Sequence, residues 1–275
     1  TNLVTLTPEL GELFEIYWSL VMSPDDHTTI AMPFFHLSSE GFWHLLPRPG
    51  QTSFIGQARY SPGLGQLQNE VLGARLDDEL YGLVANPQTR EALRRTLIEA
   101  HFAPQVHERL LQQGVMNVEA AMYGDELIRR ARHVVNEQIV DYDAPSAPVR
   151  DQGFRRAIVR AYDHRCAFCG VRIVTADGHS AIDAAHIIPW SESRDDRIGN
   201  GMALCRLCHW TFDEGLATVT PKYDIRLSPQ LTAFGNVAGH LATVAARPLI
   251  RPAEQELWPD PDNLRWHTHN RFRAR

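Results

Sequence analysis

Two stretches decide how this chain is read. They are Asp183-Ala-Ala-His186-Ile-Ile-Pro189-Trp190 and Asn200-Gly-Met-Ala-Leu-Cys205-Arg-Leu-Cys208-His209-Trp-Thr-Phe-Asp213-Glu-Gly-Leu216. The first is an apolar run ending near a histidine and stopped by Pro189, which predicts a strand. The second runs apolar into a C-x-x-C pair, and a helix is expected to begin near Cys208. On such a helix His209 and Asp213 are four residues apart and share a face. An imidazole and a carboxylate placed that way can hold one divalent cation. Cys208 lies about 100° round the same helix, so its thiolate is free to serve a different metal.

The chain has four cysteines, Cys166, Cys169, Cys205 and Cys208, all in its second half. They form two C-x-x-C pairs with none left over, a spacing that suits one tetrahedral zinc held by four thiolates. A lone pair would read as a redox motif, and disulfides would need an oxidising compartment. The N-terminal residues show neither a basic segment nor a long apolar one, so no secretion signal is visible and a reducing cytoplasm is expected. No apolar run approaches the ~20 residues of a membrane span.

The order and spacing of these residues resemble the HNH nucleases of the ββα-metal class, over about residues 160–227. The resemblance implies that His186 is the general base, that Asn200 orients the loop and the base, and that His209 and Asp213 bind the catalytic metal. Many relatives place a metal-binding Asp or His directly before the base, where this chain has Ala185. Asp183, two residues earlier on the strand, is expected to share the face of Ala185 and to supply the missing carboxylate. Such a site would let neutral His186 take a proton from a water attacking the phosphorus in line. The mixed nitrogen and oxygen ligands suit Mg²⁺, Mn²⁺ or a Ni²⁺-like ion, not a thiolate-held zinc. The expected products carry 5′-phosphate and 3′-hydroxyl ends. His164 and His179 fit no comparable pattern and read as surface residues. His267 and His269, near Arg271, could meet phosphate, but read more simply as residues without a ligand role.

Working outward, the chain of 275 residues is long enough for two domains. Thr7 and Pro8 open a predicted helix over 7–18. Residues 29–47 hold two apolar-aromatic runs around Ser-Ser-Glu-Gly, which predict a hairpin whose first run, holding Pro33, is an edge or bulge. Helical stretches are expected near 66–73, 76–84, 87–101, 104–114 and 117–140. The composition of Tyr142-Asp-Ala-Pro-Ser-Ala-Pro-Val149 predicts a linker at 141–150 between domains 1–140 and 151–275. In the second half a helix is expected over 151–163, a polar loop over 192–199, and a short hairpin from Leu216 to Leu227. The fold class that follows is α+β: a mainly helical N-terminal domain, then a zinc-stabilised ββα-metal nuclease domain.

The first half holds an aromatic cluster, Phe34, Phe35, Phe42 and Trp43, most simply read as core. The run Met32-Pro-Phe-Phe-His36-Leu-Ser-Ser-Glu-Gly-Phe-Trp-His-Leu45, with the later Ala85-Asn-Pro87 and Leu97-Ile-Glu-Ala-His-Phe-Ala-Pro104, resembles the DNA sulfur-binding domains fused to HNH units in phosphorothioate-dependent restriction enzymes. It covers about 3–112. The resemblance implies a shallow apolar cup for a soft sulfur with basic neighbours, and Met32, Pro33 and His36 at the pocket; Arg59, Tyr60 and His27 are candidates for polar contacts that the sequence does not place. Met32 stands where the family has an aromatic residue. The family's upstream helix has no counterpart, and the chain does not begin with Met, so either it starts inside a longer product or the domain has lost or changed its sulfur specificity.

Charge neither demands nor excludes DNA. The formal net charge is −6, but residues 151–275 carry 16 basic and 14 acidic residues, against 11 and 19 in residues 1–150. All the basic residues but Lys222 are arginine, which suits bidentate contacts to phosphate and guanine. The reading that results is a metal-dependent endonuclease acting on double-stranded, phosphorothioate-modified DNA, with structural Zn²⁺ and catalytic Mg²⁺ or Mn²⁺. It needs no membrane and is compatible with a homodimer. Two alternatives stand beside it: a DNA-binding protein with a degenerate HNH fold, favoured by Ala185, and a nuclease targeted by a protein partner, favoured by the acidic first half.

Overall fold

The computed structural model describes residues 1–51, 62–133, 145–175, 178–233 and 235–275. The chain divides into two compact units, one of Thr1–Gly114 with Val174–His179 and the other of Val115–Ile173 with Ser180–Arg275. Among the described residues no helix is long and apolar enough to cross a membrane.

The first unit opens with α1 (Pro8–Val21), whose Thr7 cap accepts a hydrogen bond from the Leu10 amide. Next come α2 (Ala31–His36) and the strand β1 (Trp43–Pro47). After α3 (Leu64–Glu70), β2 (Val71–Leu76) returns antiparallel to β1, pairing Trp43 with Leu76 and Leu45 with Ala74. Val4 bridges to Ala74 on the other side of β2. Gly73 permits that approach, since a Cβ there would lie 2.4 Å from the Val4 carbonyl. Phe34, Phe35, Trp43, Leu67 and Val71 form the small core. Trp43 meets Phe34 edge to face and donates its indole N–H to the Phe34 carbonyl at 2.8 Å. Helices α4 (Asp78–Ala85) and α5 (Pro87–His101) follow, the latter capped by Asn86.

Three expectations fail here for physical reasons. In the run that begins at 29, Ala31–His36 is a helix, not a hairpin strand. Pro33 sits in its first turn, where a missing N–H costs nothing because that donor has no helical partner. Residues 71–76 form a strand rather than a helix end, because β1 supplies the ladder that local propensity cannot foresee. Residues 104–114 and 117–132 belong to one continuous helix, α6 (Pro104–Arg132). Its interior Gly114 costs only ~1 kcal/mol, too little to break a helix that buries Leu110, Ala120, Leu127 and Ile128.

The second unit begins inside α6, earlier than the 141–150 boundary read from composition. There α6 packs on α7 (Ala147–Ala161), with Gly124 and Gly153 so close that a Cβ on either would lie 2.7 Å from backbone of the other helix. Residues 147–150, expected in the linker, are the first turn of α7, which begins after Ser146 with a proline in its opening positions. The proline-rich composition thus marks a helix start. His164, expected on the surface, is buried just past the end of α7.

At the centre of this unit β3 (Ile182–His186) pairs antiparallel with β4 (Gly201–Cys205), from Ile182 opposite Cys205 to His186 opposite Gly201. Between them the short helix α8 (Trp190–Ser193) runs into the start of the polar loop expected over 192–199. Helix α9 (Arg206–Asp213) follows β4 directly, two residues before the position expected. The hairpin of β5 (Ala217–Val219) and β6 (Ile225–Leu227) and the helix α10 (Pro261–Asn270) complete the unit. Phe154, Ile158, Ile182, Met202, Leu204 and Phe212 lie at the heart of its apolar core.

Candidate active site and metal centre

The two knuckles meet. The sulfur atoms of Cys166, Cys169, Cys205 and Cys208 all lie within 4.8 Å of one another, with Cys166 and Cys208 fully buried. The first knuckle is a tight turn in which the Gly170 amide donates to the Cys166 carbonyl at 3.0 Å. It is tied to β4 by the Ala167 amide donating to the Ala203 carbonyl at 2.8 Å. The second knuckle spans the end of β4 and the first turn of α9. Hydrogen bonding from Cys205 and Cys208 holds the Cys166 thiol down to about 4, whereas the Cys208 thiol is pushed far up, chiefly by its bonds to Cys166 and Cys205. Four thiols this close cannot all ionise against one another. A divalent cation among them removes the conflict, so the donor set fits a metal ion.

The β3-β4-α9 unit carries a second constellation. Ala184, His186, Trp190, His209, Asp213 and Arg271 line one cleft of about 380 Å³. His209 Nε2 and Asp213 Oδ2 are 3.4 Å apart on successive turns of α9. Desolvation raises the Asp213 carboxyl, and Glu214 adds to this while His209 and Arg271 oppose it. His186 at the end of β3 stacks on Phe154 with ring centroids 3.9 Å apart. Asn200 is fully buried and makes no approach to the cleft. Its Oδ1 accepts from the Ile188 amide at 2.9 Å, and its Nδ2 donates to the carbonyls of Ile188 and Asp195 at 3.0 and 2.9 Å. It therefore closes the 188–195 loop that follows His186.

Asp183 is not in the cleft. Side chains alternate along β3, so the face that carries Ala184 and His186 is the opposite one. Asp183 is exposed and pairs with Arg155 at 3.2 Å, while Ala185 is buried in the core. The metal-ligand role expected for Asp183 is corrected accordingly. Asp183→Asn is expected to leave both the metal concentration needed for cleavage and the saturated rate unchanged, as a metal titration of the variant would show.

The carboxylate that does reach His186 is Asp196, from the loop before β4. Its Oδ1 is 2.8 Å from His186 Nε2, and its Oδ2 accepts from the Tyr123 hydroxyl at 3.0 Å. The guanidinium of Arg150 stands 3.7 Å from the same oxygen and lies over the Trp190 ring. Asp196 is buried, and burial together with Asp196 pushes the Tyr123 hydroxyl well above its ordinary range, so that it stays a donor. The sequence held one weak signal for this residue, a pair of adjacent aspartates in an otherwise mixed-charge loop, and nothing to distinguish Asp196 from Asp195.

His267 is buried, stacked on Phe212 at 3.7 Å and 2.9 Å from the Thr218 hydroxyl, and burial lowers it to about 4. In the first unit, Met32 and His36 are exposed on α2 and Pro33 is half-buried, while Phe34 and Phe35 turn into the core. His27 is exposed. Arg59 and Tyr60 lie outside the described residues.

Residues 166–220 match the family of HNH endonucleases. This chain carries an HNH endonuclease domain. Residues 5–117 match the ScoMcrA-like DNA sulfur-binding domain, which places that domain ahead of the HNH domain. A solved structure, a modification dependent TagI restriction endonuclease, is 24% identical over 44% of this chain, with a TM-score of 0.32. The matched part spans 38% of that protein's length. No curated protein matches the chain.

Proposed function

We propose that this protein is a metal-dependent endonuclease that cuts double-stranded DNA carrying a backbone modification, phosphorothioate in the first instance. The carrying observation is the convergence of His186, His209 and Asp213 on one cleft of the HNH domain. The sulfur-binding match of residues 5–117 supports a recognition role for the first half; in this reading Met32, Pro33 and His36 form the pocket. Zinc is the ion that best suits four thiolates.

His186 acts as general base. Asp196 accepts its Nε2–H, which fixes the tautomer and leaves the lone pair on Nδ1. That nitrogen takes a proton from the water that attacks phosphorus in line, leaving 5′-phosphate and 3′-hydroxyl ends. Asn200 keeps the loop closed so that the base stays at the strand end. His209 and Asp213 would hold Mg²⁺ or Mn²⁺, which when bound supplies charge neutralisation for the phosphate and the departing 3′-oxygen.

Matched phosphorothioate, methylated and plain duplexes, incubated with Mg²⁺ or Mn²⁺, test the reading. Cutting confined to the phosphorothioate duplex is expected. Binding to any of them without cutting would instead favour a DNA-binding protein with a degenerate site. The Asp196 contact makes its own prediction. Asp196→Asn should slow cleavage roughly 10–100-fold, as loss of an orienting partner does, with DNA affinity unchanged in a binding titration.

A further inference from the structure

The cleft has a cation whose placement is built into the fold and which the base and the metal-ligand pair leave without a role. Arg271 stands at the C-terminal end of α10 and lines the cleft beside His209 and Asp213. Its backbone is fixed from several sides. Gly215, at φ +67, ends the turn after α9, and a Cβ there would lie 2.0 Å from the Arg271 carbonyl oxygen. Any other residue at 215 would push the segment away. Two residues on, the Arg273 amide donates to the Gly215 carbonyl at 2.9 Å, and the Ser228 hydroxyl donates to the Arg273 carbonyl at 2.6 Å. The stack of His267 on Phe212 locks α10 against α9.

The Arg271 side chain is paired with Glu192 of α8, and both side chains are nearly half exposed. An exposed pair of this kind adds little to stability and is readily exchanged for another anion. A phosphate diester can accept from both arms of the guanidinium in charge-assisted bonds, where Glu192 takes one. We propose that Arg271 grips a backbone phosphate of the DNA strand in the cleft, and that Glu192 holds the guanidinium in position until the phosphate displaces it. This rests on the nuclease reading above.

The test uses the full chain with a duplex and Mn²⁺, and reads both single-turnover cleavage and the salt dependence of DNA binding. Arg271→Ala should slow cleavage by about 10²-fold, the cost of one charge-stabilising donor. It should also reduce the slope of log affinity against log salt by about one, the signature of one lost phosphate contact. Arg271→Lys keeps the charge without the fork, so it should keep the salt slope and lose part of the rate. Arg265→Ala, on the same helix but paired with Asp262, should alter neither quantity. Glu192→Gln should still cut and bind DNA more tightly. An Arg271→Ala protein with the wild-type rate and salt slope would overturn the proposal, as would a Glu192→Gln protein impaired as deeply as Arg271→Ala. A wild-type chain that cuts no duplex would count against the nuclease reading, and the salt slope would still decide Arg271.

Discussion

Cys208→Ser is expected to cost the protein its zinc and unfold the second unit. Cys208 is fully buried in the first turn of α9, one residue before His209. Its loss leaves three thiolates around the ion and a smaller, more polar atom in a closed site. Metal binding to such a cluster is itself folding energy, and loss of a structural metal belongs to the small class of single changes that cost more than about 4 kcal/mol. For a unit of this size that corresponds to a fall in melting temperature of roughly 10 °C or more. Elemental analysis should find one zinc per wild-type chain and near none per variant, with near-ultraviolet dichroism lost in parallel. Folded, cleaving protein that contains no zinc would refute the structural role. The effect should reach the cleft, because the same helix start that closes the knuckle also aims His209 and Asp213.

The HNH half was legible because its chemistry constrains spacing. Two C-x-x-C pairs, a histidine at a strand end and a His–Asp pair four residues apart are patterns that few other structures require. Its register follows: with Cys205 opposite Ile182, His186 must fall opposite Gly201. Asp183 shares the face of Ala185, and a single strand's sequence does not say which of its two faces looks into the cleft. The even-numbered face does, and Asp183 is on the other. Asp196 was invisible for a different reason. Its meaning depends on Tyr123 of α6 and Arg150 of α7, side chains 73 and 46 positions away that only tertiary packing brings to it.

The first half was less legible because its elements are short and its core small. Pro33 argues against a strand and is equally at home in a first helical turn, so the local signal could not choose. The buried Phe34, Phe35 and Trp43 decide it, and that choice rests on a partner strand, β2, whose Val-Leu-Gly-Ala-Arg-Leu composition carries no clear period. The one long element, α6, is helical as the sequence predicts, but it joins two predicted stretches into one helix, Pro104–Arg132.

His186→Ala should slow cleavage by ~10²–10⁴-fold, the usual cost of a missing general base, while DNA binding persists. The variant carries a structural cost that must be separated from the chemical one. Removing the ring deletes the stack on Phe154 and leaves one oxygen of the buried Asp196 without its 2.8 Å partner, a loss of about 1–3 kcal/mol. The double variant His186→Ala with Asp196→Asn should remain as slow as His186→Ala alone, and it should be no more stable, because the carboxylate also pairs with the nearly buried Arg150. If Asp196 acts only through His186, its substitution has nothing further to lose once the ring is gone, and the two effects on rate will be strongly non-additive. Additive losses in this cycle would mean that Asp196 serves the reaction by another route. A His186→Ala protein cutting at the wild-type rate would mean that a different group takes the proton.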